Sequence, residues 1–123
     1  HPVDRRQRQM CIRDRLSSHL LNSVNGTHAS GVKVIVNQIN SSGSKKIFYE
    51  AETDEGGRIL KDFELSDDDC ACDYEMICKT AEYFSEKKLV SEITIKFKME
   101  DPKKKYHLPI IISPNGYSIW WSK

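Results

Sequence analysis

Residues 91–99 have the sequence SEITIKFKM, in which apolar and polar side chains alternate from Glu92 to Met99. Successive side chains of a β-strand point to opposite faces, so this alternation predicts a strand with one apolar face. The apolar side chains are those of Ile93, Ile95, Phe97 and Met99, and the polar ones are those of Thr94, Lys96 and Lys98. A strand of this kind is typical of a sheet that covers a hydrophobic core on one side and meets water on the other.

Similar short stretches, separated by turn residues, occur on both sides of this one. They are residues 16–21, 31–39, 45–53, 58–65, 73–80, 105–113 and 117–122. Residues 54–57 (DEGG) predict a tight reversal in which both glycines can adopt a positive φ, and residues 66–73 (SDDDCACD) predict a loop. Residues 81–88 (AEYFSEKK) contain good helix formers and predict two helical turns. About eight short strands with one brief helix predict an all-β fold, an antiparallel β-sandwich.

The chain of 123 residues predicts one domain. Residues 1–15 contain five of the arginines, have no hydrophobic periodicity and resemble translated sequencing-adapter read-through. We therefore expect residues 1–15 to be a disordered, non-native leader and residues 16–123 to form the domain.

The distribution of charge and hydrophobicity excludes several classes of protein. From residue 16 onward there are 14 basic and 16 acidic residues, whereas a nucleic-acid-binding surface needs clustered positive charge. No apolar run approaches the roughly 20 residues that span a bilayer, and no hydrophobic segment typical of a secretory signal follows the basic start. We therefore expect neither a nucleic-acid nor a membrane partner. The four cysteines fit no zinc-binding pattern, and we expect reduced thiols in an intracellular compartment.

Three residues in or beside the predicted strands can take part in proton transfer or bind an oxyanion. His19 lies within the first strand, Arg58 follows the double-glycine turn, and His107 comes two residues before Pro109. Each also has a purely structural interpretation. His19 can be a half-exposed strand histidine, Arg58 a surface arginine, and His107 part of a strand that bends at Pro109. Considered singly, these residues indicate only a β-sandwich of unknown role.

Four separated segments, in this order and spacing, resemble the signature segments of the transthyretin-related family, which includes the 5-hydroxyisourate hydrolases. They are residues 16–36, 53–60, 72–84 and 101–118. The resemblance implies a transthyretin-like (prealbumin-like) sandwich. The hydrolases of the family have a histidine in the first-strand motif, an arginine after the glycine turn and a histidine before Leu-Pro, and the hormone carriers lack this set. His19, Arg58 and His107 occupy those three places.

The resemblance implies hydrolysis of 5-hydroxyisourate, a purine-derived small molecule of urate catabolism. Two imidazoles can serve as base and acid, and a guanidinium can stabilise the carbonyl oxygen as it becomes negative. Catalytic zinc normally takes three protein ligands, and no motif supplies a third beside the two histidines, so we expect neither a metal nor another cofactor. The family resemblance further implies a homotetramer, with active sites in a channel where dimers meet, and a cytoplasmic or peroxisomal location.

The end of the chain departs from the family pattern. The hydrolases finish with Tyr-Arg-Gly-Ser, whereas this chain has Trp120, Trp121, Ser122 and Lys123 there. We expect Trp120 to bind substrate as a stacking wall in place of the tyrosine, and Ser122 to supply a hydroxyl. Trp121 must then point to the opposite face, because side chains alternate along a strand. The altered tail leaves three hypotheses: a weakened hydrolase, a small-molecule binding protein that has lost catalysis, or an inactive structural relative.

Overall fold

The structure, a computed structural model, describes residues 14–85 and 89–120. The greater part of the expected leader, residues 1–13, lies outside the described residues. The same holds for Trp121, Ser122 and Lys123, and for residues 86–88.

Within the described residues, nine strands form two sheets, and two single-turn helices connect them. The strands are β1 (Asp14–Asn22), β2 (Thr27–His28), β3 (Lys33–Ile39), β4 (Lys45–Glu52), β5 (Arg58–Phe63), β6 (Asp73–Cys78), β7 (Ile93–Lys98), β8 (Lys105–Ser113) and β9 (Gly116–Ile119), and the helices are α1 (Asp67–Cys70) and α2 (Thr80–Tyr83). One sheet has the order β2-β1-β8-β9, with β5 also paired to β1, and the other has the order β4-β3-β6-β7. The β1–β8 pair is parallel and the other pairs are antiparallel. The predicted all-β sandwich is confirmed.

The core contains the alternating apolar residues of both sheets. In and just after β7, Ile93 and Met99 are buried, and Ile95 and Phe97 pack against the core while remaining half-buried. The side chains at the intervening positions are exposed. The fully buried residues of the other strands include Val34, Val36, Tyr74, Met76, Leu16, Leu20, Ile110 and Ile112. Strand alternation therefore determines which side chains fill the interior and which remain on the outer faces.

Helix α1 forms where a loop was predicted. The Ser66 hydroxyl accepts a hydrogen bond from the backbone N–H of Asp69, and the Asp69 carboxylate accepts one from the backbone N–H of Ser66. This reciprocal arrangement is a capping box, which satisfies two N–H groups at the start of a helix. A single turn with three consecutive aspartates has the composition of a loop, so the prediction was wrong at this point.

Helix α2 is shorter than the helix predicted over residues 81–88. It ends at Tyr83, because Phe84 adopts an extended backbone (φ −84°, ψ 129°) and its side chain is only 5% exposed. Extended geometry at this residue turns its ring into the core. Core packing, rather than helix propensity, thus sets the end of this helix.

Strand β1 begins at Asp14, two residues before the expected start of the domain. The Asp14 carboxylate is buried and accepts hydrogen bonds from the backbone N–H groups of Leu65 and Lys104, at 2.9 and 2.8 Å. Asp14 therefore ties the start of β1 to two loops, and Asp14 and Arg15 are part of this strand. The division into a non-native leader of residues 1–15 and a domain of residues 16–123 stays a prediction.

Among residues 14–85 and 89–120, no helix has the length and apolar character needed to cross a bilayer.

Cys70, Cys72 and Cys78 are free thiols. Burial raises the pKa of the Cys78 thiol to about 12, which keeps it protonated and unreactive at neutral pH.

Candidate active site

Strand β1 positions the outer-face residues of its sheet. Its side chains alternate between buried Leu16, Ser18 and Leu20 and half-buried Ser17 and His19. Strand β8 pairs with one edge of β1, and β5 and β2 share the other edge. The outer face at the middle of β1 is therefore flanked by three other strands.

The register of these pairs brings the three predicted catalytic residues to one face. His19 lies directly opposite Arg58 of β5, and Ser17 lies directly opposite His107 of β8. Side chains of directly opposed residues emerge on the same face of a sheet. His19, Arg58 and His107, which are separated by up to 88 positions in the sequence, are thus neighbours on three adjacent strands.

The turn before β5 holds Arg58 in place. The Oδ1 atom of Asp54 accepts hydrogen bonds from the backbone N–H groups of Gly56 and Arg58, both at 2.9 Å. Gly57 has φ +72°, and a Cβ atom there would lie 2.4 Å from the backbone oxygen of Leu20. Only glycine fits this close approach. Gly56 does not adopt a positive φ, so that expectation is correct for Gly57 alone.

A serine that the sequence did not single out fixes the ring of His107. The Ser17 hydroxyl lies 2.8 Å from His107 Nδ1, which leaves Nε2 as the ring nitrogen that can face a ligand. Burial lowers the pKa of His107 below its ordinary value, and the positive charge of Arg58 lowers it further, whereas hydrogen bonding to Ser17 acts in the opposite direction. The imidazole is therefore neutral near neutral pH.

The ring of His19 is paired with a second histidine. His19 Nε2 lies 2.9 Å from His28 Nδ1, and the two ring centroids are 5.0 Å apart. Burial is the largest cause of a lowered pKa at His19, followed by the charges of Arg58, His28 and, more weakly, His107, and a backbone hydrogen bond at Gly56 opposes them. His19 thus lies within electrostatic range of both other predicted catalytic residues.

Arg58 and His107 line one cleft of about 570 Å³, together with Ser17 and Asp54. Arg15 also lines it, but its Nε atom is bound to Asp62 at 2.8 Å. Among the described residues, no carboxylate forms an ion pair with Arg58, so its guanidinium is available to a ligand. His19 lies beside this cleft, directed toward His28.

Trp120 and His107 border a second, more apolar cleft of about 370 Å³. Its walls also include Phe97, Leu108 and Ile119. The Trp120 side chain is 44% exposed and has surface available for a flat ligand. Trp120 therefore lies next to one predicted catalytic residue but not in the cleft that contains Arg58. Ser122, the other predicted substrate-binding residue, lies outside the described residues.

Within residues 14–85 and 89–120, no group of three or more histidine, cysteine, aspartate or glutamate side chains is arranged to hold a metal ion. The side chains gathered on this face instead offer imidazoles, a hydroxyl and a guanidinium. This set can transfer protons and stabilise a developing negative charge.

Ser17 and His28 are the two residues that the sequence interpretation missed. Ser17 precedes His19 by two positions, so strand alternation alone places it on the same face. Its partner could not be identified because that partner is 90 residues away. His28 belongs to a two-residue strand, which has no periodicity to recognise, and only the β1–β2 register brings it to His19.

Comparison of the sequence with known proteins identifies a family. A sequence model described as "HIUase/Transthyretin family" matches residues 16–121. A 5-hydroxyisourate hydrolase of Salmonella dublin is 34% identical over 110 residues, which cover 85% of this chain and 78% of that protein.

Two solved structures share the fold. The 5-hydroxyisourate hydrolase of Klebsiella pneumoniae aligns with a TM-score of 0.72 and 24% identity, over 89% of this chain and 99% of that one. Transthyretin from Sparus aurata aligns with a TM-score of 0.75 and 22% identity, over 91% and 97%. The family match over residues 16–121 and the Salmonella relative establish what the shared fold alone would not: the chain belongs to the HIUase/transthyretin family.

Proposed function

We propose that the protein is a 5-hydroxyisourate hydrolase, which opens the six-membered ring of this purine-derived substrate with water. The name of the Salmonella relative supports the assignment. The observation that carries it is the shared cleft of Arg58 and His107, with His19 opposite Arg58 on the same face. One imidazole and a guanidinium thus border the cleft, and the second imidazole lies beside it.

His107 is the proposed general base. Its lowered pKa keeps the ring neutral at neutral pH, and its Nδ1 atom is engaged by Ser17. When Nδ1 carries the ring hydrogen and donates it to the Ser17 hydroxyl, Nε2 has a free lone pair and can take a proton from a water molecule as the water oxygen attacks a ring carbonyl carbon of the substrate. Arg58 donates hydrogen bonds to the carbonyl oxygen as it becomes negative.

Collapse of the tetrahedral intermediate breaks the carbon–nitrogen bond of the ring. The imidazolium formed in the first step can return its proton to the departing nitrogen, as a single histidine does in other acyl-transfer reactions. The products are a carboxylic acid and an amine nitrogen within one opened molecule, and no electrons are gained or lost. His19 is the proposed second proton-transfer group, which gives a proton to, or takes one from, a nitrogen or oxygen atom of the substrate.

Trp120 and Ser122 are the proposed substrate-binding residues. A Trp120 ring beside His107 can stack on a flat heterocycle, and its indole N–H can donate one hydrogen bond.

The reaction as written needs no metal, because Arg58 supplies the positive charge and the histidines transfer the protons. Turnover is expected to be unchanged after dialysis against a strong chelator.

We also propose the homotetramer. Strand β9 forms one edge of its sheet, and Tyr117, Ile119 and Trp120 at this edge are 49%, 39% and 44% exposed. Exposed apolar edge strands favour pairing with another chain.

A cytoplasmic or peroxisomal location stays a prediction, which microscopy of the tagged protein in its own cells would test.

A small-molecule binding protein is the second candidate function. The observation in its favour is the apolar cleft bordered by Phe97, Leu108 and Trp120, which has the size of a site for a small aromatic ligand. Quenching of tryptophan fluorescence by planar aromatic compounds, in a protein that does not accelerate the decay of 5-hydroxyisourate, would favour this function.

The test of the proposed hydrolase is a spectroscopic assay of freshly generated 5-hydroxyisourate. The protein is expected to accelerate the decay of the substrate in a saturable manner. A rate equal to that in buffer would contradict the proposal.

A further inference from the structure

We propose that His28 is a positioning residue for His19, and that the two rings form an imidazole pair which connects the site to bulk water. This inference deepens the proposed function and rests on it for its catalytic part. The pairing itself is a property of the protein that can be measured without any substrate.

The geometry comes from the way two strands share one edge of β1. His19 faces Arg58 of β5. Two positions further along β1, the same edge pairs with β2 instead, and Leu21 lies opposite His28. The backbone N–H of Ala29 donates a hydrogen bond to the backbone oxygen of Leu20, which holds the end of β2 against β1. His28 is therefore fixed diagonally opposite His19, on the same face.

The contact between the rings is a hydrogen bond. His19 Nε2 and His28 Nδ1 are 2.9 Å apart, and the ring planes are inclined by 31°. A neutral imidazole has one donor and one acceptor nitrogen. When one of the two facing nitrogens carries the hydrogen, the other must accept it, so the bond sets the tautomers of both rings together. Because Nε2 of His19 faces His28, the pair determines whether Nδ1 of His19 carries a hydrogen and acts as a donor or has a lone pair and acts as an acceptor.

The surrounding charges make the pair a proton carrier rather than a passive contact. The charged or titratable groups facing His19 are Arg58 from β5, His107 from β8 and His28 from β2, together with the backbone of Gly56 from the turn. Arg58 is positive, and neither histidine can supply a negative charge. Two positive imidazoles at this distance would repel each other, so the pair holds one added proton far more readily than two.

The two rings also differ in their access to solvent. His19 is half-buried, whereas His28 is exposed. A proton taken up by His19 during the reaction can therefore pass along the hydrogen bond to His28 and on to water. Return of the proton from solvent would follow the same path.

The experiment compares His28→Ala, His28→Asn and the control Thr27→Ala. Asparagine can place its amide nitrogen near the position of Nδ1, so it keeps a hydrogen bond to His19 without the titratable ring. Thr27 lies in the same short strand, and its hydroxyl donates to Asn25 rather than to His19. The protonation of His19 is followed by ¹⁵N NMR of the imidazole rings, and kcat and KM are measured across pH.

In His28→Ala, the titration of His19 is expected to move to higher pH, because a neighbouring positive charge is removed. We expect kcat to fall roughly 3- to 10-fold with little change in KM, which is the effect of losing one hydrogen bond. His28→Asn is expected to recover most of kcat, and Thr27→Ala to behave as wild type. In the wild type, NMR is expected to show a ¹⁵N–¹⁵N coupling through the hydrogen bond between His19 Nε2 and His28 Nδ1.

An unchanged His19 titration in His28→Ala, or the absence of a coupling between the two ring nitrogens in the wild type, would overturn the pairing. The wild-type measurement also decides the matter if His28→Ala does not fold. If the coupling is present but the wild-type protein does not hydrolyse 5-hydroxyisourate, the pairing stands and the proposed function fails. If the wild-type protein is active and kcat does not depend on residue 28, the positioning role is wrong.

Discussion

The chemistry of this site depends on which nitrogen of each imidazole remains free. His107 uses Nδ1 to bind Ser17, and His19 uses Nε2 to bind His28, so these two contacts leave opposite ring nitrogens, Nε2 of His107 and Nδ1 of His19. Both histidines have lowered pKa values, chiefly through burial and the charge of Arg58. Neutral rings of fixed orientation are suited to accepting protons near neutral pH.

His107→Asn tests the general base with little disturbance. The amide nitrogen of asparagine can occupy the position of Nδ1 and keep the contact with Ser17, but nothing replaces Nε2. Turnover is expected to fall roughly 10²- to 10⁴-fold, the usual effect of losing a positioned acid or base. The thermal midpoint should change little, because the ring is half-buried at the surface. A variant with wild-type turnover would show that His107 is not the base.

Arg58→Lys tests whether the shape of the cation matters as well as its charge. Lysine keeps the positive charge but loses the planar, bidentate donor group. We expect kcat/KM to fall roughly 10- to 100-fold with no loss of stability. Arg15→Lys is the matched control, because Arg15 lines the same cleft but is bound to Asp62. Equal effects of the two substitutions would assign Arg58 a general electrostatic role only.

At the level of strands and turns, alternation could be predicted from the sequence and register could not. The side chains of residues 32–37 and 93–99 point as their polarity indicated, because one face of each strand is apolar, whereas polar Gln38 is buried against that pattern. Nothing in the local sequence could reveal that β1 lies parallel to β8, or that β2 shares an edge with β5. The three catalytic candidates were therefore identified by family resemblance, whereas Ser17 and His28 became visible only through pairing.

Gly57→Ala tests the turn that positions Arg58. Its positive φ alone costs of order 1–3 kcal/mol for a residue with a Cβ atom. The added atom would also collide with the backbone oxygen of Leu20 at 2.4 Å. Gly31→Ala is the control, since Gly31 has φ +79° and a Cβ atom added there would meet no other atom within 4 Å. Chemical denaturation is expected to show a larger loss of unfolding free energy for Gly57→Ala, with a fall in activity. Equal losses would show that the close approach relaxes.

The altered tail is tested by restoring the family sequence. Replacing Trp120, Trp121, Ser122 and Lys123 with Tyr, Arg, Gly and Ser supplies a phenolic hydroxyl and a second cation. We expect kcat/KM to rise by up to about tenfold, the effect of a well-placed hydrogen bond to substrate. A graft without effect, on a protein already as active as relatives with the usual tail, would show that the tail contributes little.

For the protein as a whole, two sheets enclose one core, and the outer face of the sheet that contains β1 carries the candidate site. The apolar side chains along β9 predict a larger assembly. Light scattering coupled to size-exclusion chromatography is expected to give about four times the monomer mass of 14.2 kDa. Elution as a monomer at micromolar concentration would contradict the homotetramer.

The central claim is that this member of the family hydrolyses 5-hydroxyisourate by acid–base catalysis with its own side chains. The most direct measurement is the initial rate of decay of freshly generated 5-hydroxyisourate, across pH, for the wild type and His107→Asn. We predict a saturable wild-type rate with an acid limb below about pH 6.5, because a histidine whose pKa is lowered stays neutral to a lower pH than usual. His107→Asn should lose both the rate and that limb. A wild-type rate no faster than the decay in buffer at every pH would contradict the claim.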